Sequence, residues 1–102
     1  VALINKEGSI RRIREGLEKL PEFAGYEILS YKRNRGLDLL RIEAGLVLVR
    51  ERGYREAEYR VSMADLEKLL KSLFRFEFPR SRQLRLYQLA SPEERGQTRK
   101  RL

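Results

Sequence analysis

Residues 26–61, YEILSYKRNRGLDLLRIEAGLVLVRERGYREAEYRV, decide the fold. Their apolar residues recur at steps near two. Asn34-Arg35-Gly36, Gly45 and Gly53 cut the stretch into strand-length pieces: Tyr26 to Arg33, Leu37 to Ala44, Leu46 to Arg52 and Tyr54 to Val61. In the last piece Ala57, Tyr59 and Val61 alternate with Glu56, Glu58 and Arg60, giving one buried and one wet face. Connections this short join only antiparallel neighbours, because a parallel pair needs a crossover of about a dozen residues or more. The expectation is an antiparallel meander of about four strands. Gly36, Gly45 and Gly53 each stand alone at an expected hairpin, where a positive φ is wanted, and none belongs to a phosphate-cradling loop.

On both sides of the meander the period lengthens. Upstream, Ile10, Ile13, Leu17 and Leu20 share one helix face, with Ser9 as the expected N-cap and Pro21 as the stop; Gly16 costs this helix about 1 kcal/mol relative to Ala. Downstream, Ser62-Met63-Ala64-Asp65 has the form of a capping box. It opens a helical series of Met63, Leu66, Leu69, Leu70 and Leu73, which should lie across the apolar face of the sheet. Phe74, Phe76 and Phe78 alternate after the expected helix end and read as core rings under the C-terminal segment, as Phe23 reads as a cap on the core's end. Arg82 to Leu89 alternates Leu84 and Leu86 with polar residues, a further strand.

The fold class that follows is α+β: an N-terminal helix, the meander, a second helix packed on one sheet face, and a C-terminal strand. Residues 1–90 form one domain, and 91–102, polar, aperiodic and basic, read as a disordered tail. The opening Val1-Ala2-Leu3-Ile4 is too short for a signal-peptide core. Whether these residues extend the sheet, or the sheet is open or closed by a partner, is a question for the tertiary structure.

At 102 residues with 41% apolar content, one hydrophobic core is expected. The chain has no cysteine and no histidine, which removes disulfides, thiolate and imidazole metal sites, and the usual general base near neutral pH. No apolar run approaches the roughly 20 residues of a membrane helix, so no membrane partner and a cytoplasmic location are expected. With 37% charged residues, a single Met and Arg outnumbering Lys, the composition is that expected of a thermophile. Net charge is +8, of which the last 28 residues carry +5. Such a balance attracts polyanions.

Two clusters carry that charge in a form suited to nucleic acid. Tyr31-Lys32-Arg33-Asn34-Arg35 brings three cations, a ring and an amide to the first hairpin, and Arg80, Arg82 and Arg85 with Tyr87 form a second group. Arginine bonds phosphate in a fork and stacks on bases, and an aromatic ring offers every base a π-face. The expected contact residues are Tyr31, Lys32, Arg33, Arg35, Arg80, Arg82 and Arg85. The bland alternative is a soluble hairpin tip and a charged edge strand. Asp38, Glu43, Glu56 and Glu58 could in principle hold a divalent ion. Glu56 and Glu58, sharing a face with Arg60, instead read as ordinary surface alternation, and no metal or cofactor is expected. No serine has a histidine, or a lysine at S-x-x-K spacing, to activate it, so no catalytic residue is assigned.

The leading functional expectation is a non-catalytic binder of RNA or single-stranded DNA. The order of elements resembles that of several small RNA-binding proteins of ribosomes and signal-recognition particles, although no motif is matched. A second reading is a homodimer formed through Leu84, Leu86 and Leu89 on an edge strand, and a third, ranked last, is a small basic ribonuclease.

Overall fold

The computed structural model describes residues 2–89. In chain order the elements are β1 (Ala2–Asn5), α1 (Ser9–Glu18), β2 (Gly25–Ser30), β3 (Gly36–Arg41), a 3-10 turn (Glu43–Gly45), β4 (Leu46–Arg52), β5 (Glu56–Ser62), α2 (Met63–Glu77) and β6 (Gln83–Leu89). The six strands form one antiparallel sheet in the order β1-β6-β2-β3-β4-β5. This is the expected α+β class, with two helices and a sheet larger than the meander. The expected tail, 91–102, lies outside the described residues.

Strand register sorts the side chains onto two faces. On one lie Ile4, Leu84, Ile28, Leu37, Leu39, Val47 and Val49, which pack with Ile13 and Leu17 of α1 and with Leu66, Leu70, Leu73 and Phe74 of α2 in a single core. Burying one such side chain fully contributes about 1.5–3 kcal/mol, so this helix-covered layer supplies most of the driving force. On the other face register aligns Tyr87, Glu27, Asp38 and Arg50 across four strands, with Leu29, Leu40 and Leu89 also buried there.

Several local expectations are corrected. Ser9 is the first residue of α1, not its cap. Gly8 holds the cap position at φ 78, and the Ser9 hydroxyl donates to the Lys6 carbonyl at 2.7 Å. A left-handed cap suits glycine, which has no Cβ to clash there. Ser62 does cap α2, accepting from the Asp65 N–H at 3.3 Å. That helix continues to Glu77, so Phe74 and Phe78, four apart, turn inward while Phe76 stays 38% exposed. Phe23 is exposed with φ 69 and caps nothing. Of the three hairpin glycines only Gly45 is left-handed, whereas in the first turn the left-handed residue is Arg33, φ 63.

The largest correction concerns β6. Its expected role as a free edge fails over residues 83–86, which are hydrogen-bonded on both sides, to β1 and to β2, so Leu84 and Leu86 do not lie on an open edge; Leu89 lies beyond the four residues that β1 pairs. The edges are β1 and β5. Among the described residues no helix is long and apolar enough to cross a membrane.

Candidate polyanion-binding groove

Antiparallel order brings the ends of β1, β2 and β4 and the starts of β3, β5 and β6 to one end of the sheet. The segments between them there include the basic hairpin 31–35, the tip 53–55 and the stretch 78–82 after α2. An open groove of about 1000 Å³ lies between the first and the last of these, lined by Asn5, Ser30, Tyr31, Lys32, Asn34, Arg35, Glu77, Pro79, Arg80, Ser81, Arg82 and Gln83. Five of the seven expected contact residues therefore share one cavity although about 45 residues of chain separate the two clusters.

The remaining two are placed differently. Arg85 does not line the groove; its guanidinium sits 4.7 Å from the Tyr31 ring centroid and its Nε donates to the Tyr31 carbonyl at 3.0 Å, so it holds that side of the hairpin. Arg33 is exposed and also lies outside the lining. Tyr87, grouped with Arg85 by sequence, is buried beside Glu27 on the sheet.

The hairpin is shaped by its own polar residues. The Ser30 carbonyl accepts from the Arg33 N–H and the Ser30 N–H donates to the Arg35 carbonyl, both at 2.9 Å. The Ser30 hydroxyl donates to the Asn34 side chain at 2.8 Å. These bonds turn the chain within a few residues and leave the cationic stems of Lys32 and Arg35 at the groove.

Sequence reading missed the residues that extend the basic surface. A second depression of about 870 Å³ shares Asn5, Pro79, Ser81 and Arg82 with the first and adds the cations Lys6, Lys71 and Arg75, one acid, Glu7, and the apolar Ile10 and Phe74. Lys71 and Arg75 are four apart on α2, a spacing visible in sequence, but nothing local indicates that this helix face borders Arg82. Lys6 is anchored by donating to the Phe78 carbonyl at 2.6 Å.

A buried carboxyl pair borders the groove, Glu77 being one of its lining residues. Glu51, near the end of β4, and Glu77, at the end of α2, are each 1% exposed and lie next to one another. Glu77 Oε1 accepts from the Tyr54 N–H at 2.9 Å, and Glu51 accepts from Arg55 and from the Tyr59 hydroxyl, each at 3.0 Å. Burial raises the Glu77 pKa above 4.5, and its bond to the Glu51 carboxylate raises it further. Burial would raise Glu51 as well, but hydrogen bonds from Glu77, Arg55 and Tyr59 outweigh it and hold Glu51 below 4.5. The two carboxyls are thus shifted in opposite directions. A side chain on Gly53 would run into Glu77 Oε1, so this turn takes glycine for closeness rather than for φ.

A second charged cluster sits on the opposite sheet face. Arg52 bridges Glu27 Oε2 at 2.8 Å and both oxygens of Asp38 at 3.0 and 3.3 Å, and Arg50 approaches Asp38 at 3.6 Å. Of the strand carboxylates considered for a divalent ion, Asp38 is fully buried, while Glu43, Glu56 and Glu58 are exposed. Gly36 leaves the space that the Arg52 guanidinium fills, since a Cβ there would stand 3.1 Å from it. Among the described residues no group of three or more acidic side chains is arranged to hold a metal ion.

Comparison with protein-family models, with curated proteins and with solved structures finds no match to this chain.

Proposed function

We propose that the protein binds RNA or single-stranded DNA through the groove between the hairpin 31–35 and the segment 79–83. The observation that carries this reading is the convergence of Lys32, Arg35, Arg80 and Arg82 on one cavity together with Tyr31 and the neutral side chains of Asn5, Asn34 and Gln83. Cations supply the sequence-independent attraction to phosphates, and amides can donate to and accept from the edges of unpaired bases. The adjoining depression prolongs the same charge with Lys6, Lys71 and Arg75, giving an extended ligand a track rather than a point. A polyanion is favoured over a small anion for that reason.

The test is fluorescence-polarisation titration against labelled single-stranded RNA and DNA over a salt series, with wild-type protein and a Lys32→Ala/Arg35→Ala/Arg82→Ala variant. For single strands each phosphate contact contributes about 0.7 to the log-log salt slope, so the variant should lose about two units of slope. Equal slopes for the two proteins, or no wild-type binding near about 0.1 M salt, would sink the reading.

A further inference from the structure

Next to the groove, the tip of the β4–β5 hairpin folds against the last turn of α2 and places two large aromatic rings at the surface. Tyr54 is 68% exposed and Phe76 38% exposed, with ring centroids 5.2 Å apart and planes tilted by 32°. Each ring carries a guanidinium over it: Arg35 at 5.1 Å from the Tyr54 centroid and Arg55 at 4.1 Å from that of Phe76. Each ring thus has a guanidinium beside it while part of its surface stays exposed. Arg35 is also a lining residue of the groove, so the ring pair adjoins it.

Polar bonds also hold the hairpin down. The Tyr54 N–H is already bonded to Glu77, Arg55 to Glu51, and Arg35 to the Glu77 carbonyl at 3.2 Å. What the rings add is exposed π-surface flanked by positive charge. That combination is suited to bases that are not already stacked in a duplex, because an unpaired base offers both faces and its backbone is attracted by the same cations.

We propose that Tyr54 and Phe76, bracketed by Arg35 and Arg55, form a stacking platform for unpaired bases of the strand whose phosphates occupy the groove. The inference rests on the groove reading and deepens it. It separates a single-stranded ligand from a duplex and from a bare polyphosphate chain, neither of which presents free base faces.

The experiment uses the full chain and three labelled probes: a mixed-sequence single strand, the same strand with every base replaced by an abasic site, and the strand annealed to its complement. Wild-type protein should bind the intact strand at least about five-fold more tightly than the other two. Tyr54→Ala/Phe76→Ala, with unchanged circular dichroism, should bind the intact strand no better than the abasic one while keeping the wild-type salt slope. Equal affinity of wild-type protein for intact and abasic strands overturns the platform, and so does a double variant that retains the preference. A second measurement needs no variant: photocrosslinking of a strand carrying 5-iodouracil should label Tyr54 or Phe76, and labels confined to other residues overturn the proposal. Failure of the groove reading looks different. Lys32→Ala/Arg82→Ala would then bind the abasic strand as tightly as wild type, whereas absence of binding to every probe overturns both readings.

Discussion

Glu77 is the residue on which the end of the molecule turns. It ends α2, lines the groove, accepts from the Tyr54 N–H and is coupled to Glu51. Because its folded pKa lies above 4.5, its contribution to stability is complete below the unfolded value and is lost as pH rises through the folded one. Glu51 has the opposite sign: its contribution is present above the unfolded value and is lost as pH falls through its lowered folded pKa. The pair therefore stabilises most between the two folded values, and wild-type stability should decline on the alkaline side as the second carboxyl ionises beside the first. Glu77→Gln keeps an acceptor for Tyr54 and a donor for Glu51 but has no proton to lose. Urea midpoints across a pH series should show the alkaline decline in wild type and a flatter limb in Glu77→Gln; parallel curves would show that the two carboxyls are not coupled. Nothing in Arg75-Phe76-Glu77-Phe78 marks this acid as buried, since its partner is 26 residues away.

The elements show where local chemistry sufficed. The capping box at Ser62 and the spacing of Leu66, Leu70 and Leu73 place α2 correctly, because both signals act within four residues. Ser62→Ala should cost about 1 kcal/mol, the usual value of a lost cap. Leu70→Ala, in the middle of the core, should cost about 2–5 kcal/mol, and Lys68→Ala, on the exposed face of the same helix, less than about 0.5. Thermal or chemical denaturation of the three variants checks the order, and a Ser62→Ala loss as large as that of Leu70→Ala would mean that the cap holds more than the helix end. Of the three rings read as core, Phe74 and Phe78 are buried and only Phe76 is not, for a physical reason. The three alternate as a strand would, yet α2 runs on to Glu77 with Phe78 as its C-cap, so Phe76 falls on the outer side and pairs with Tyr54. Likewise Leu84, Leu86 and Leu89 are as apolar as an interior strand requires, but that β1 would cover the far side of β6 depends on residues about 80 positions upstream.

At the scale of the whole molecule a net charge of +8 favours polyanions in general but does not say where one would bind. Two double variants of equal charge separate the effects: Lys32→Ala/Arg82→Ala removes cations of the groove, and Arg12→Ala/Arg60→Ala removes cations that do not line it. Binding to single-stranded RNA should fall sharply in the first and stay within about two-fold of wild type in the second. Equal losses would mean that the protein acts as a diffuse positive surface. Alternation, turn residues and helical spacing carried the fold class, the meander and both helices, because each is a preference of neighbouring residues for a local conformation. The chemistry of the basic clusters was legible in the same way. The sequence by itself determined that the segments of β2 to β6 become strands and those of α1 and α2 helices, and which of them carry cations; that Ala2–Asn5 is a strand was decided by the tertiary structure. The tertiary structure alone decided that β6 lies between β1 and β2, that clusters about 45 residues apart face one another across a groove, and that Glu51 meets Glu77. Those outcomes depend on strand order and register, set by how the whole apolar face packs against two helices, and no stretch of neighbouring residues encodes them.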